Sequence, residues 1–556
     1  MTDSGRLPAT PMHADEAGFT RRRLLSSAAS SAAGLSAASL LAACGGGGSS
    51  PTSTTGTGGK PVAGKPVRGG TLMVGMISGG SGETVNPGLA LTNTDILRTY
   101  QLYDFLFLIG DDLKTLVPSL AVSAEPNQTA TTWTLRLRSG VTWHDGKPFT
   151  ADDVVYTIKY WQNGAHNYGS PNVTGLVDFK NVRKRDNLTV EVPLLVPVAQ
   201  FPSILTNFPQ PVIQNGSTAK SLATKAIGTG PFKLVSFQPG SQSVMAANKE
   251  YWRHGGPYVD KLVVDSSFSD EDARLNALLG GQISVMPAVP PVIAKAQGAS
   301  GQVVLLDAKS TQVIPFIMRV DKGPFADVRV RQAFRLMADR PALVESVFAG
   351  LGTVGNDLSG GLTQYFDASL QREQDIEQAK SLLKAAGRGG MTIGLPTAPA
   401  SPGLVAAATL FAQQAKAAGV TINVQQGSAT TYYEPSGGYG SRPFGQTQYV
   451  PLPSLTLAYR ANFIPGAPFN DTHWGQQGGG AAAIRLIQQA IATTDESRAQ
   501  ELWNEVQKQQ FDQGGNIIWG WQDNTDLVGK NVRGVKTTAA NYLDNFNFLN
   551  AWLQVS

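Results

Sequence analysis

From residue 71 onward the chain alternates short strand-like runs with helix-like runs, and no fixed period separates them. Thr71-Leu72-Met73-Val74 is an apolar run that reads as a buried strand, and residues 133 to 138, Trp-Thr-Leu-Arg-Leu-Arg, alternate strictly, as a strand with one buried face does. Thr150-Ala151-Asp152-Asp153 opens a helix running to Trp161, with hydroxyl and carboxylate covering free amides, Phe149 stapled to Val154, and Val154, Val155 and Ile158 turned inward. Asp327 caps a helix whose Val330, Ala333, Phe334 and Met337 share a face; Asp339 and Pro341 start the next, closed by Gly350. Helices over 375–386 and 404–418 stop at Gly387 and Gly419, and Val420 to Val424 alternates as a strand. Helices over 481–492 and 496–510 precede a strand-like run over 516–519. This is the pattern of α/β layers, and the lack of a 20- to 50-residue repeat excludes solenoids and propellers. At roughly 150 residues per domain, 556 residues allow three to four domains.

Residues 1–43 read as a processing signal. Arg21-Arg22 precede an apolar stretch from Leu24 to Ala43 diluted by Ser and Gly, too weak for a permanent membrane span. The segment resembles a twin-arginine export signal; an ordinary secretory signal is the alternative. The only cysteine, Cys44, follows Leu41-Ala42-Ala43, which resembles the lipobox of bacterial lipoproteins and implies an acylated N-terminus. No disulfide can form within the chain. Residues 44–67, rich in Gly, Ser, Thr and Pro, bury too little apolar surface to offset ordering and read as a flexible tether. Within them Gly59 to Lys65 mimics a phosphate loop, but Pro66 stands where Ser or Thr would hold the metal, and no strand precedes it.

Forty-five Lys and Arg against 41 Asp and Glu leave +4, with no basic block after residue 25, so neither nucleic acid nor an acidic membrane surface is an expected partner. With 15% charged residues, 61 Gly and 33 Pro, the polar surface must be built largely from Ser, Thr, Asn, Gln and Gly, which suits an exported chain. The five histidines, His13, His144, His166, His254 and His473, lie too far apart for a local metal site, and no cofactor is expected. No Gly-x-Ser-x-Gly, His-Glu-x-x-His or free thiol supplies a nucleophile or metal, and His144-Asp145-Gly146 reads as a turn. These absences argue against an enzyme; an exported hydrolase or lyase of unrecognised type is the competing class.

Several motifs recur in order: Arg68-Gly69-Gly70-Thr71-Leu72, Val85-Asn86-Pro87, Pro118-Ser119-Leu120-Ala121, Trp133 through Gly146, Thr150 through Val155, Ile227 through Phe232, Asn248 to Trp252, and Asp327 through Ala333 leading to Asp339-Arg340. Together they resemble the family 5 extracellular solute-binding proteins of ABC importers, which include the dipeptide- and oligopeptide-binding receptors. The resemblance runs from Arg68 to Val535 and departs at Ser284, where the family usually carries Asp. It implies an α/β, periplasmic-binding-protein-like (type II, cluster C) two-lobe fold with an additional inserted domain, closing on its ligand by a hinge. By motif order the first lobe takes 68–98, 227–312 and 523–556, the insert 99–226, and the second lobe 313–522. It also implies a periplasmic monomer, held to the membrane through its lipid and delivering a small solute to ABC permease and ATPase subunits. Gly228-Thr229-Gly230 is expected as a positive-φ crossover, and Arg331 as the ion-pair partner of Asp339.

In peptide-binding members of the family a carboxylate of the second lobe pairs with the peptide amine. The corresponding stretch here, Phe444 to Pro453, has none, and no Asp or Glu occurs from Pro435 to Asn470. An enclosed, unpaired ammonium is costly, so ordinary peptides are disfavoured. The candidate ligand-binding residues, taken from the chemistry in and around that stretch and nearer the C-terminus, are Tyr432, Tyr433, Arg442, Gln446, Gln448, Tyr449, Trp474 and Trp521. Amides, aromatics and arginine suit an uncharged or anionic solute: a sugar, a capped or cyclic peptide, an opine-like compound or an aromatic acid. Glu434, Asp471 and Asp523 are the acids that could instead restore amine binding.

Overall fold

The computed structural model describes residues 65–554 apart from 166, 168, 169, 207–209, 430, 435, 436, 468 and 476–479; the export signal, Cys44 and the tether as far as 64 lie outside the described residues. The strand Thr71–Ile77 forms the centre of an eight-stranded sheet, parallel to Lys261–Phe268 and to Val285–Met286. Leu72, Val74 and Met76 are buried there, which is why the apolar run predicts a strand so well. The hairpin Phe232–Gln238 and Gln242–Ala247 extends one side, and Gly520–Val528 and Val304–Gln312 complete the other, antiparallel to each other.

A second body surrounds the three-stranded sheet of Phe316–Met318, Phe444–Gln446 and Asn516–Ile517. Phe316, Phe325, Phe334, Phe411 and Phe444 interlock in its core, Phe316 and Phe411 stacking at 4.6 Å. Its helices begin where the caps predict. Asp327 accepts from the Arg329 amide, Asp339 from Ala342 and Asp375 from Gln378, while Gly387 and Gly419 take positive φ after theirs. The parallel pair Thr392–Thr397 and Thr421–Gln426 brackets the helix Leu404–Ala415.

Inserted in the sequence of the first body, between Thr71–Ile77 and Phe232–Gln238, is a four-stranded antiparallel sheet, ordered Ala121–Pro126, Thr132–Leu137, Thr189–Pro193, Arg183–Asp186. The helix Ala151–Trp161 opens with the capping box read from Thr150 and Asp153; Val154 and Ile158 are buried and Val155 half-buried. This unit does not stand apart. Trp133, Ile158 and Phe201 belong to one apolar cluster with Leu457, Ile487 and Trp503 of the helices Leu455–Asn462, Gly480–Ala492 and Glu496–Gln513. Gln200 bonds Gln364 (3.1 Å) and Thr456 (2.9 Å), and Ser203 bonds Ser454 (3.0 Å) across the same seam.

Three expectations change. Gly228 and Gly230 have no positive φ; they are glycine because a Cβ would lie 1.7 Å from the Leu102 carbonyl oxygen and 2.4 Å from that of Gln101. Arg331 makes no pair with Asp339, which is occupied as a cap; its guanidinium donates to the carbonyls of Phe325 (2.6 Å) and Gln513 (2.8 Å). The strand expected over 516–519 ends at Ile517, and a nine-residue strand, Gly520–Val528, follows. The boundary expected between 522 and 523 therefore falls inside one strand, and Gly352–Val354, assigned to the second lobe, pairs with it.

Candidate functional site

Two segments carry the chain between the bodies, from Gln312 to Phe316 and from Ile517 to Gly520. The Trp519 indole N–H donates to the Ile314 carbonyl at 3.0 Å, tying one crossing to the other. Tyr449 joins them, its amide donating to the Val313 carbonyl (2.9 Å) and its carbonyl accepting from the Val313 amide (3.1 Å). The acid-free stretch thus runs alongside the crossing.

The loop 355–363 is fastened to the same place, Gly355 donating to the Trp519 carbonyl and Asp357 to that of Ile518. The Asp357 carboxylate is wholly buried, accepts from Arg340 Nη2 at both oxygens (2.8 Å each) and from the Arg372 Nε at 2.7 Å, and lies 4.0 Å from Arg335. Burial pushes the Arg335 guanidinium down to about 9, the Asp357 charge acting against that fall. This cluster holds the loop so that Gly361 lies against the Trp521 ring, where an added Cβ would come within 2.8 Å of it.

Beside this crossing, five buried side-chain atoms have no hydrogen-bond partner among the described residues: Thr311 Oγ1, Ser359 Oγ, Trp521 Nε1, Asp523 Oδ1 and Thr538 Oγ1. Thr538 is held there because its carbonyl accepts from Asn524, beside a Ser310 bond to the Ala539 carbonyl. Burial, then the charge of Asp307, pushes the Asp523 carboxyl up to about 6, with Lys309 opposing. Unmet polar atoms at a buried junction are what a polar ligand satisfies, since leaving each unmade costs about 1–3 kcal/mol.

The eight predicted residues fall in separate places. Tyr432 and Tyr433 pack with Tyr439 inside the second body, Tyr432 and Tyr439 stacked at 5.2 Å, and the Tyr432 hydroxyl donates to the Gln446 carbonyl at 2.8 Å. The Gln446 amide is wholly buried and donates to Thr397 Oγ1 and the Leu404 carbonyl, within the core rather than on the crossing. Arg442, expected inside the closed cleft, is exposed, because it ends the short turn Tyr439–Ser441. Trp474 is wholly buried edge-on against Phe463 at 5.3 Å. Gln448 is half-buried, and the Tyr449 hydroxyl donates to Asp471 at 2.7 Å. Trp521 lies on the crossing, edge-on to Phe366 at 5.5 Å. Sequence reasoning did not single out Thr311, Ser359 or Thr538, because an unpartnered buried hydroxyl leaves no mark in the sequence; it held Asp523 as an alternative.

Among the described residues no group of three His, Cys, Asp or Glu could hold a metal ion. The dipeptide-binding protein of Escherichia coli K12 is 28% identical over 495 residues, covering 82% of this chain and 90% of that one. Two solved structures share the fold: the ABC transporter substrate-binding protein CtaP of Listeria monocytogenes, with a TM-score of 0.75 at 21% identity, over 88% of this chain and all of that one; and AgaA of A. tumefaciens R10 with agropinic acid, with a TM-score of 0.71 at 19% identity, over 88% and 99%. This chain has the mixed α/β, type II periplasmic-binding-protein-like fold that the two share. Residues 115–459 match the middle region of one family across most of the chain, and the chain belongs to the bacterial extracellular solute-binding proteins, family 5.

Proposed function

We propose that this chain captures a small polar solute at the crossing between its lobes and delivers it to the permease and ATPase subunits of an ABC importer. Hinge closure sequesters the solute, and acylation of Cys44 keeps the protein, as a monomer, at the membrane on the periplasmic side. Relatives named for dipeptides and peptides, and a structural neighbour holding agropinic acid, frame the solute classes: peptide-like, opine-like, sugar or another organic compound. The observation that carries the reading is the set of five buried polar atoms, without a hydrogen-bond partner among the described residues, on or beside the crossing strands. Four of the five are neutral, so an uncharged, amine-free solute is favoured.

Asp523 carries a second reading, because its unpartnered oxygen could receive an ammonium group. Titration calorimetry with di- to pentapeptides, their N-acetylated amides and neutral sugars separates the two. The amine-free reading expects free peptides to bind more weakly than capped ones. Micromolar binding of free peptides, lost in Asp523→Asn, would overturn that choice of ligand and leave solute binding standing.

A further inference from the structure

Away from the crossing, a cavity of about 180 Å³ opens where the first lobe meets the start of the insert. Its apolar wall includes Phe105, Leu108 and Leu549, and Tyr100 packs against Phe105 at 4.8 Å. Tyr103 lines it at 1% exposure, with a hydroxyl that has no partner. Arg253 also lines it; one Nη donates to Ser119 at 2.9 Å, yet its buried Nε–H has no acceptor. The neighbouring Asp104 is already satisfied, accepting from Tyr251 (2.8 Å), Trp252 (2.9 Å) and Thr229 (2.9 Å). Nearer solvent are Asp111, whose side chain is 59% exposed, and Asp544, at 24%.

The Asp544 rim is built from an unusual backbone. Leu543, Asp544, Asn545 and Phe546 are four consecutive non-glycine residues with φ between 44° and 60°. A left-handed turn disfavours each by roughly 1–2 kcal/mol, so the surroundings must hold it. The Asp526 carboxylate accepts from the Leu543 amide (2.9 Å), and the Gln101 side chain donates to the Phe546 carbonyl (2.5 Å).

We propose that this cavity is a second binding site, distinct from the crossing, for a small zwitterion of amino-acid size with an apolar side chain. Depth sets the orientation. The two buried, unpartnered donors, Tyr103 Oη–H and Arg253 Nε–H, take the carboxylate at the floor; Asp544 and Asp111 take the ammonium at the mouth; Phe105, Leu108 and Leu549 hold the side chain. Lys536, 4.0 Å from Asp544 and paired with Asp111, is the cation the ammonium displaces. Burial pushes the Asp544 carboxyl up to about 6, Lys536, Asn547 and Arg253 opposing and Asp111 adding to the rise, so affinity falls as pH drops through that value.

L-Leucine is the probe, titrated into the mature protein by calorimetry and by NMR. Leucinamide lacks the carboxylate and 4-methylpentanoate lacks the ammonium; each should bind at least about tenfold more weakly. Tyr103→Phe, which keeps the ring, should weaken leucine by about tenfold while leaving the crossing ligand's affinity unchanged. Asp544→Asn should remove the pH dependence; should it fail to fold, Tyr103→Phe carries the test alone. No leucine binding at 10 mM, or binding that survives Tyr103→Phe and disappears in Trp521→Ala, would overturn the second site without touching solute capture at the hinge.

Discussion

The ring of His144 accepts from the Gly228 amide at Nδ1 (3.2 Å) and faces the Gly230 carbonyl from Nε2 (3.0 Å), a pairing that only the neutral Nε2–H tautomer satisfies. Burial pushes the ring down to about 4, the Gly230 bond opposing. The unfolded chain therefore binds a proton that the folded one refuses between about pH 6.5 and 4. This ring's contribution is fully present above pH 6.5 and is lost as pH falls, by up to about 3 kcal/mol. Urea unfolding at pH 7.5, 5.5 and 4.5 should show the fall in the parent protein and a shallower one in His144→Gln; equal slopes would remove the histidine from the account. The turn at Asp145-Gly146 was legible because Asp-Gly favours one locally, whereas the bond from His144 to residues 84 and 86 positions away was not.

Elements followed the same division. Helix starts at Thr150, Asp327, Asp339 and Asp375 were readable because a cap is a contract among four adjacent residues. The strand Gly520–Val528 was not: all nine residues are buried, yet Gln522, Asp523, Asn524, Thr525 and Asp526 erase both alternation and hydrophobicity. Such a strand is stable only because distant groups receive its side chains, Thr525 donating to the Val289 carbonyl and Asn524 to that of Thr538. Close approach is the parallel case. Gly228→Ala places a methyl 1.7 Å from the Leu102 oxygen and should destabilise by roughly 3 kcal/mol or more, while Gly389→Ala, with open space around it, should stay within about 0.5 kcal/mol. Urea midpoints compare them; equal values would mean that the 228 backbone yields freely.

At the scale of the whole molecule, Cys44→Ser should shift the protein from membrane to soluble fraction on fractionation, with its melting temperature unchanged, because the Gly-, Ser-, Thr- and Pro-rich sequence around it carries too little apolar surface to contribute to a core. Continued membrane association would end the lipid-anchor proposal. By itself the sequence determined the α/β class, most helix starts, the central strand and, through motif order, the family, because caps, turns and periodicity are local and motifs accumulate along the chain. It also marked the stretch from Pro435 to Asn470 as free of Asp and Glu. Only the tertiary structure decided that the sheet over 121–193 shares an apolar core with the helices over 455–513, that Tyr432, Tyr433 and Gln446 are interior, that Arg442 is exposed, and that Thr311, Ser359, Trp521, Asp523 and Thr538 are buried without a hydrogen-bond partner among the described residues. These are relations between residues up to hundreds of positions apart, set by which buried groups find partners across the crossing, and no local pattern records them.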